Sequence, residues 1–285
     1  MSCVAPSARP RLPELPELEV LRDHLQPLVG GRIITRVEVS PKFGFLLRTP
    51  PADLSASLTG QALSRVWRRG KFLVFDAGDR HLVINPMLGG RLQWVPAPVA
   101  GARKGSKQVG SVLFAMEFAG GESLKLTDFA RMARVYLVER DDFDSVPGWA
   151  ELGPEANEVS AEDFAARIRR HPGELKNLLR NQAFIAGVGN AYSDEILWEA
   201  RMLPLRKRST LKPEEVATLH AATRRVLDDA TAAIRAQPGY ESHRQDRSYM
   251  KVHMHGGEAC PRCGHRIAEL TARGEITDYC RGCQK

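Results

Sequence analysis

Two cysteine pairs near the carboxy terminus, Cys260-Pro-Arg-Cys263 and Cys280-Arg-Gly-Cys283, restrict what this chain can fold into more than any other feature. Each Cys-x-x-Cys turn lets two sulfurs converge on one ion, and the four together have the spacing of a tetrahedral zinc site. A segment this short cannot bury enough apolar surface to hold itself together. One structural Zn2+ would supply most of its folding free energy, on the order of 10 kcal/mol. Two disulfides or a redox pair are the alternative, but no signal-peptide pattern and no thioredoxin-like context accompany the cysteines. Cys3, the fifth cysteine, stands apart near the start.

With 285 residues the chain has room for two ordinary domains besides the metal module. No apolar run approaches bilayer length, so the expectation is a cytoplasmic protein without a membrane partner, working as a monomer. A net charge of +7 and a pI near 9.3 favour polyanions at encounter, which makes nucleic acid the leading partner class.

Residues 32–139 read as short β-type runs separated by Gly, Pro and Asp turns, among them Arg32-Ile-Ile-Thr-Arg-Val-Glu-Val39, Lys71-Phe-Leu-Val-Phe75, Val112-Leu-Phe-Ala-Met-Glu-Phe118 and Arg134-Val-Tyr-Leu-Val138. That pattern predicts a β-sandwich or barrel. A helix precedes it, since Leu18, Leu21, Leu25 and Leu28 recur at helical spacing before Gly30-Gly31. Residues 97–108 are Pro, Gly, Ala and Lys rich and read as a loop within the β-domain. The boundary falls near Pro147-Gly148, after which the period becomes 3.6, with helices expected over 161–170, 174–184, 191–202 and 213–235. The last opens on Pro213 with Glu214-Glu215 behind it. The fold class is thus α+β and multidomain: a sandwich with its flanking helix over 13–147, a helical domain over 148–240, and linker plus metal hairpin over 241–285.

Between the second and third of those helices lies Gly187-Val-Gly-Asn190. Two glycines permit a tight turn, Asn190 can cap a helix beginning at Ala191, and the amides at that helix start form a ready phosphate site. A plain interhelical turn with a capping Asn is the simpler alternative. The basic cluster Arg201, Arg206, Lys207 and Arg208 follows, and together with a zinc module it suits gripping a nucleic-acid backbone.

Five elements stand in one order: Pro13-Glu-Leu-Pro-Glu-Leu-Glu19, Gly70-Lys-Phe-Leu73, Leu152-Gly-Pro-Glu155, the stretch from Asn181 to Asn190 ending in Gly-Val-Gly-Asn, and the four-cysteine module. In that order the chain, from Pro13 to Lys285, resembles the formamidopyrimidine-DNA glycosylase and endonuclease VIII family. The resemblance implies a β-sandwich, a helix-two-turn-helix domain and a zinc hairpin. It also implies DNA repair by excision of oxidised purines from double-stranded DNA, followed by β,δ-elimination at the abasic site, in a bacterial, nucleoid-associated enzyme. In the family the nucleophile is the amine of an amino-terminal proline, which Pro13 matches. A free α-amine with a reference pKa of about 7.7–8 is roughly one-tenth unprotonated at neutral pH, far more than a lysine. Glu14 is then the adjacent acid/base, and Lys71 contacts phosphate or assists proton transfer. Without the resemblance these three would read as a helix-start proline, a first-turn carboxylate and a solvated strand lysine.

As written, Pro13 is internal and its nitrogen belongs to an amide. Leu12 occupies the place of an initiator methionine, so residues 1–12 are expected to be a mis-assigned or removed extension. The DNA-contacting set implied by the resemblance is Leu88, Arg131, Met132, Lys176, Asn190 and Arg273. Leu88 replaces a methionine wedge; Asp128-Phe-Ala-Arg131-Met132-Ala replaces Asp-Pro-Arg-Arg-Phe-Gly, with Ala130 and Met132 where an arginine and an aromatic would probe the opposite base. Glu275 takes the place of a phosphate-holding arginine, which passes that role to Arg273 or Arg281 or weakens lesion binding. Asn181-Gln182 stands where an acidic residue is common. Two other readings compete with the bifunctional glycosylase: a catalytically silent DNA-damage binding protein of the same fold, and a general zinc-ribbon interaction module.

Overall fold

The computed structural model describes residues 12–41, 47–98, 111–140, 142–243, 246–272 and 274–285. Cys3, Arg273 and the expected loop from residue 99 onward lie outside them.

The first helix, α1 (Leu15–Val29), begins with Pro16 in its opening turn and is closed by a reciprocal cap: the Glu14 amide donates to Glu17 Oε2 at 3.0 Å. Two antiparallel four-stranded sheets follow. One has the order β1 (Ile34–Val39), β6 (Ser111–Phe118), β7 (Ser123–Asp128), β5 (Gly90–Val95); the other runs β2 (Leu63–Arg69), β3 (Phe72–Ala77), β4 (Arg80–Asn85), β8 (Arg134–Glu139). Val37, Phe114, Met116 and Leu126 from the first sheet meet Val66, Phe75, Leu82 and Ile84 from the second in one core, closed by Leu18, Leu21 and Leu25 of α1. This is the expected sandwich, and all four β-type runs fall in its strands. The unbroken apolar run Phe72-Leu-Val-Phe75 has a reason: Leu73 and Phe75 enter the shared core, while Phe72 and Val74 pack beneath Trp67, Phe143 and Trp149 on the outer face.

A helix that the strand pattern does not predict interrupts the β-region, α2 (Pro51–Leu58). Its signals are nonetheless local, with Pro51 at the first helical position and Leu54 and Leu58 four apart, both fully buried.

Beyond the sandwich come α3 (Ala161–Ile168), α4 (Leu175–Arg180), α5 (Asn190–Glu199) and α6 (Pro213–Arg235). The helix expected over 174–184 stops at Arg180. There Asn181 Oδ1 accepts the Ala183 amide at 3.0 Å, and Gln182 serves the Gly187 amide and the Val188 carbonyl at 3.0 and 2.7 Å. Short polar side chains thus offer the backbone an alternative to another helical turn. Last comes the hairpin of β9 (Ile267–Ala272) and β10 (Glu275–Cys280).

α1 belongs to both large units. Its first residue, Leu15, is buried in the helical core with Phe184, Val188 and Tyr192, whereas Leu18, Leu21 and Leu25 lie in the sandwich core. The Leu15 amide donates to the Gly187 carbonyl at 3.0 Å. Pro13 and Glu14 are therefore fixed where sandwich and helices meet.

Candidate active site and nucleic-acid interface

At that junction the Glu14 carboxylate, 1% exposed, takes the place expected for a phosphate. It accepts the amides of Gly189 at 2.5 Å, Ala191 at 2.9 Å and Tyr192 at 3.4 Å, all at the start of α5. The positive end of the helix dipole and its unsatisfied N–H groups are thus answered from within the chain. This corrects the reading of an open phosphate cradle. It also corrects the assignment of Asn190 as a cap, because Gly189 holds the cap position and Asn190 is the first helical residue, its Nδ2 donating to the Ile276 carbonyl at 2.9 Å. The two glycines are needed for contact. A Cβ on Gly189 would sit 2.5 Å from Glu14 Cδ and 2.8 Å from Lys71 Nζ, and one on Gly187, whose φ is +101°, would sit 2.7 Å from Leu15 Cδ1.

Lys71 is the second residue of the two-residue turn between β2 and β3, and that turn is locked by Glu155. Glu155 accepts the Gly70 amide at 2.7 Å and Arg69 Nη1 at 2.9 Å, and also pairs with Arg68 Nη1. Burial lowers the Lys71 pKa below its ordinary value, opposed by Glu14 and reinforced by Arg180. Behind Glu14, Arg247 donates Nε to Glu17 Oε1 at 2.8 Å and Nη2 to the Leu12 carbonyl at 2.6 Å. Tyr192 Oη donates to the same Glu17 oxygen at 3.1 Å and meets Tyr249 Oη at 2.7 Å.

Two clefts adjoin here. One, of about 630 Å³, is lined by Leu12, Glu14, Lys71, Leu88, Arg180, Asn190, Arg247 and Glu275, among others. The other, of about 450 Å³, is lined by Leu12, Pro13, Lys71, Asn85, Met87 and Gln182, among others. Pro13 thus shares a cleft wall with Lys71, and Glu14 reaches the neighbouring one.

The N-terminal domain of formamidopyrimidine-DNA glycosylase matches residues 12–135, and the H2TH domain of that enzyme matches residues 152–238. The chain belongs to the formamidopyrimidine-DNA glycosylase family. Relatives named formamidopyrimidine-DNA glycosylase include one from Lactobacillus delbrueckii subsp. bulgaricus, 32% identical over 96% of this chain and 100% of its own length, and one from Symbiobacterium thermophilum, 35% identical over 96% and 89%. Among solved structures, the Lactococcus lactis Fpg bound to abasic-site DNA superposes with a TM-score of 0.83 at 25% identity, covering 95% of this chain and 99% of that one. The same enzyme with Fapy-dG DNA gives 0.83 at 26%, covering 95% and 100%.

Of the residues expected to contact DNA, Leu88 lines the larger cleft. Arg131 and Met132 lie exposed on the loop after β7, Arg131 at a φ of +57°. That loop is shaped by Asp128, whose carboxylate accepts four consecutive amides, from Ala130 to Ala133, at 2.7–3.0 Å. Phe129, 48% exposed, puts an aromatic ring on this loop, with the Arg91 guanidinium 5.6 Å from its centre. Motif matching sets Met132 at the aromatic's place and so passes over Phe129.

Lys176 is a correction. It is 4% exposed and donates to Asp194 Oδ1 at 2.6 Å and to the Ile276 carbonyl at 3.0 Å, so it fastens α4 to α5 and the hairpin instead of facing DNA. Arg206 is likewise committed to Glu215, with two contacts of 2.7 Å. Arg281 lies along Tyr279, while Glu275 pairs with Arg180, a residue that no motif in the sequence marks.

The four cysteine sulfurs lie within 4.8 Å of one another, with Cys263 and Cys280 at 3.4 Å and Cys260 and Cys283 at 3.9 Å. Metal–sulfur arms of about 2.3 Å give a tetrahedral edge of about 3.8 Å, so the set fits a metal ion. Burial opposes ionisation of Cys260, but the Trp198 indole, donating at 3.3 Å, and the amides of Arg262 and Cys263 outweigh it and bring the thiol down to about 6. Gln284 accepts the Cys280 amide at 2.6 Å and donates to the Met202 carbonyl at 2.8 Å, docking the hairpin on the helical unit. Among the described residues no helix is long and apolar enough to cross a membrane.

Proposed function

We propose that this protein excises oxidised purines, 8-oxoguanine and formamidopyrimidines, from double-stranded DNA and then cleaves the abasic strand by β,δ-elimination. The observation that carries the reading is the meeting of Pro13, Glu14 and Lys71 at one junction of two clefts. The names of the relatives and the DNA held by the L. lactis enzyme support it.

The lone pair of the Pro13 nitrogen attacks C1′ of the damaged nucleotide, and the bond from C1′ to the base breaks as the base takes up a proton. Glu14, one residue away, protonates the ring oxygen as the sugar opens to an iminium. Loss of a C2′ proton then breaks the 3′ C–O bond, a further elimination breaks the 5′ C–O bond, and water releases the sugar fragment. Lys71, its pKa lowered by burial, sits beside both residues to bind phosphate or carry a proton. In this scheme residues 13–147 carry catalysis, 148–240 grip the duplex, and 241–285 form the hairpin. Cys260, Cys263, Cys280 and Cys283 hold one Zn2+, which fastens the hairpin. The place of work is the bacterial nucleoid.

The scheme requires an uncapped Pro13. In the chain beginning at Met1 that nitrogen is acylated by Leu12, whose carbonyl accepts from Arg247. The family's domain match starts at residue 12. Borohydride should trap a covalent adduct between abasic duplex and protein starting at Pro13, and Pro13→Gly should abolish it. Intact mass of the native protein gives the first residue. Excision by a form that retains Leu12 would rule out the Pro13 amine, and salt-dependent binding to abasic duplex without trapping would favour the silent damage-binding reading.

A further inference from the structure

We propose that Arg180 is a DNA-phosphate ligand at the mouth of the larger cleft, and that Glu275 is the positioning residue that aims it. The inference rests on the reading of this cleft as the DNA site. Lys71, Arg180 and Arg247 are the Lys and Arg residues among its described lining. Arg247 is 7% exposed and spends its guanidinium on Glu17 and the Leu12 carbonyl. Lys71 Nζ lies against the Gly189 backbone, where an added Cβ would sit 2.8 Å from it, and is assigned above to the reaction itself. Arg180 differs from both: its side chain is 27% exposed, and among the described residues its one hydrogen-bonded partner is Glu275, through Nη2. A guanidinium has five N–H donors in a planar fork, so a single carboxylate contact leaves an edge for bidentate capture of phosphate.

The backbone aims that edge. Arg180 ends α4, where Gln182 Nε2 holds its carbonyl at 2.7 Å, and Glu275 opens β10 on the facing hairpin. The Arg180 charge is felt at Lys71, where it helps to lower the amine's pKa, so the two cations belong to one patch of the cleft. Glu275 would repel phosphate if it stood alone. Paired, it neutralises only part of the Arg180 charge and restricts a long, flexible side chain to one direction. The cation that the family places on the hairpin thus comes here from the opposite wall.

The test is fluorescence anisotropy of the full-length, metal-loaded chain on duplexes that are undamaged or carry a tetrahydrofuran abasic analogue, titrated with salt. Arg180→Ala should weaken binding about 10-fold or more and reduce the slope of log K against log salt by about 1. Arg180→Lys should restore the slope but only part of the affinity, which separates a phosphate contact from a folding defect. Glu275→Ala should weaken binding about two- to five-fold at unchanged slope, because the acceptor that aims Arg180 is lost and the Arg180 charge kept. An unchanged slope in Arg180→Ala, or tighter binding by Glu275→Ala, would overturn the proposal. Failure of the wild-type chain to prefer the abasic duplex would instead count against the excision reading, and the slope on undamaged duplex would still decide the role of Arg180.

Discussion

Replacing Glu14 by Gln separates the structural from the chemical work of this carboxylate. The side chain accepts the amides of Gly189 and Ala191 at 2.5 and 2.9 Å, in a site with 1% exposure. Gln keeps one oxygen and turns an NH2 group on the other amide, leaving a buried N–H without an acceptor at about 1–3 kcal/mol. It also removes the negative charge from the start of α5, worth about 0.3–1 kcal/mol. Together about 1.3–4 kcal/mol of local stability should be lost. In native-state hydrogen exchange, where each 1.36 kcal/mol is about tenfold, the amides of Ala191 and Tyr192 should exchange about 10- to 1,000-fold faster. Glu14 also raises the Lys71 pKa against the effect of burial, so that pKa should fall further in the variant. Unchanged protection of both amides would show that Glu14 does not hold the α5 terminus, and the junction of the two units would need another anchor.

Gly187→Ala should cost at least about 2 kcal/mol, read from urea unfolding, because the new methyl group would meet Leu15 Cδ1 at 2.7 Å on a backbone with φ +101°; an unshifted midpoint would contradict this. Chelation, or Cys263→Ser, should strip protection from the hairpin amides and from Trp198, while far-UV circular dichroism of the helices persists; retained protection would mean that no metal holds the hairpin. The Arg206 hydrogen bond, helped by the Lys212 amide, depresses the Glu215 carboxyl from 4.5 to about 2. Its contribution is therefore present above pH 4.5 and is lost as pH falls towards 2, so the first turn of α6 should fray over that window by NMR. Arg206→Ala should move this window up towards 4.5 and narrow it, with the Lys212 amide supplying what remains.

Metal spacing, strand pattern and helix starts are legible in the chain because each is written in neighbouring residues. Cysteines separated by two residues within each pair predict their own convergence, and Pro213 with Glu214-Glu215 marks the start of α6 from local preference alone. The ordered motifs of the family likewise point to Pro13, Glu14 and Lys71 from the chain alone. What neighbouring residues do not encode is which charge meets which. Glu14 finds its amides 175 and 177 residues away, Arg180 meets Glu275 across 95, and Lys176 turns inward because Asp194 stands one helix over. Asn190 has the chemistry of a cap, but a carboxylate from the other unit occupies the helix start. A propensity acts along the chain, so the sequence determined the elements and the convergence of the four cysteines. The partner of a buried charge depends on which surfaces pack together, and that was decided only when α1 was laid between the sandwich and the helices.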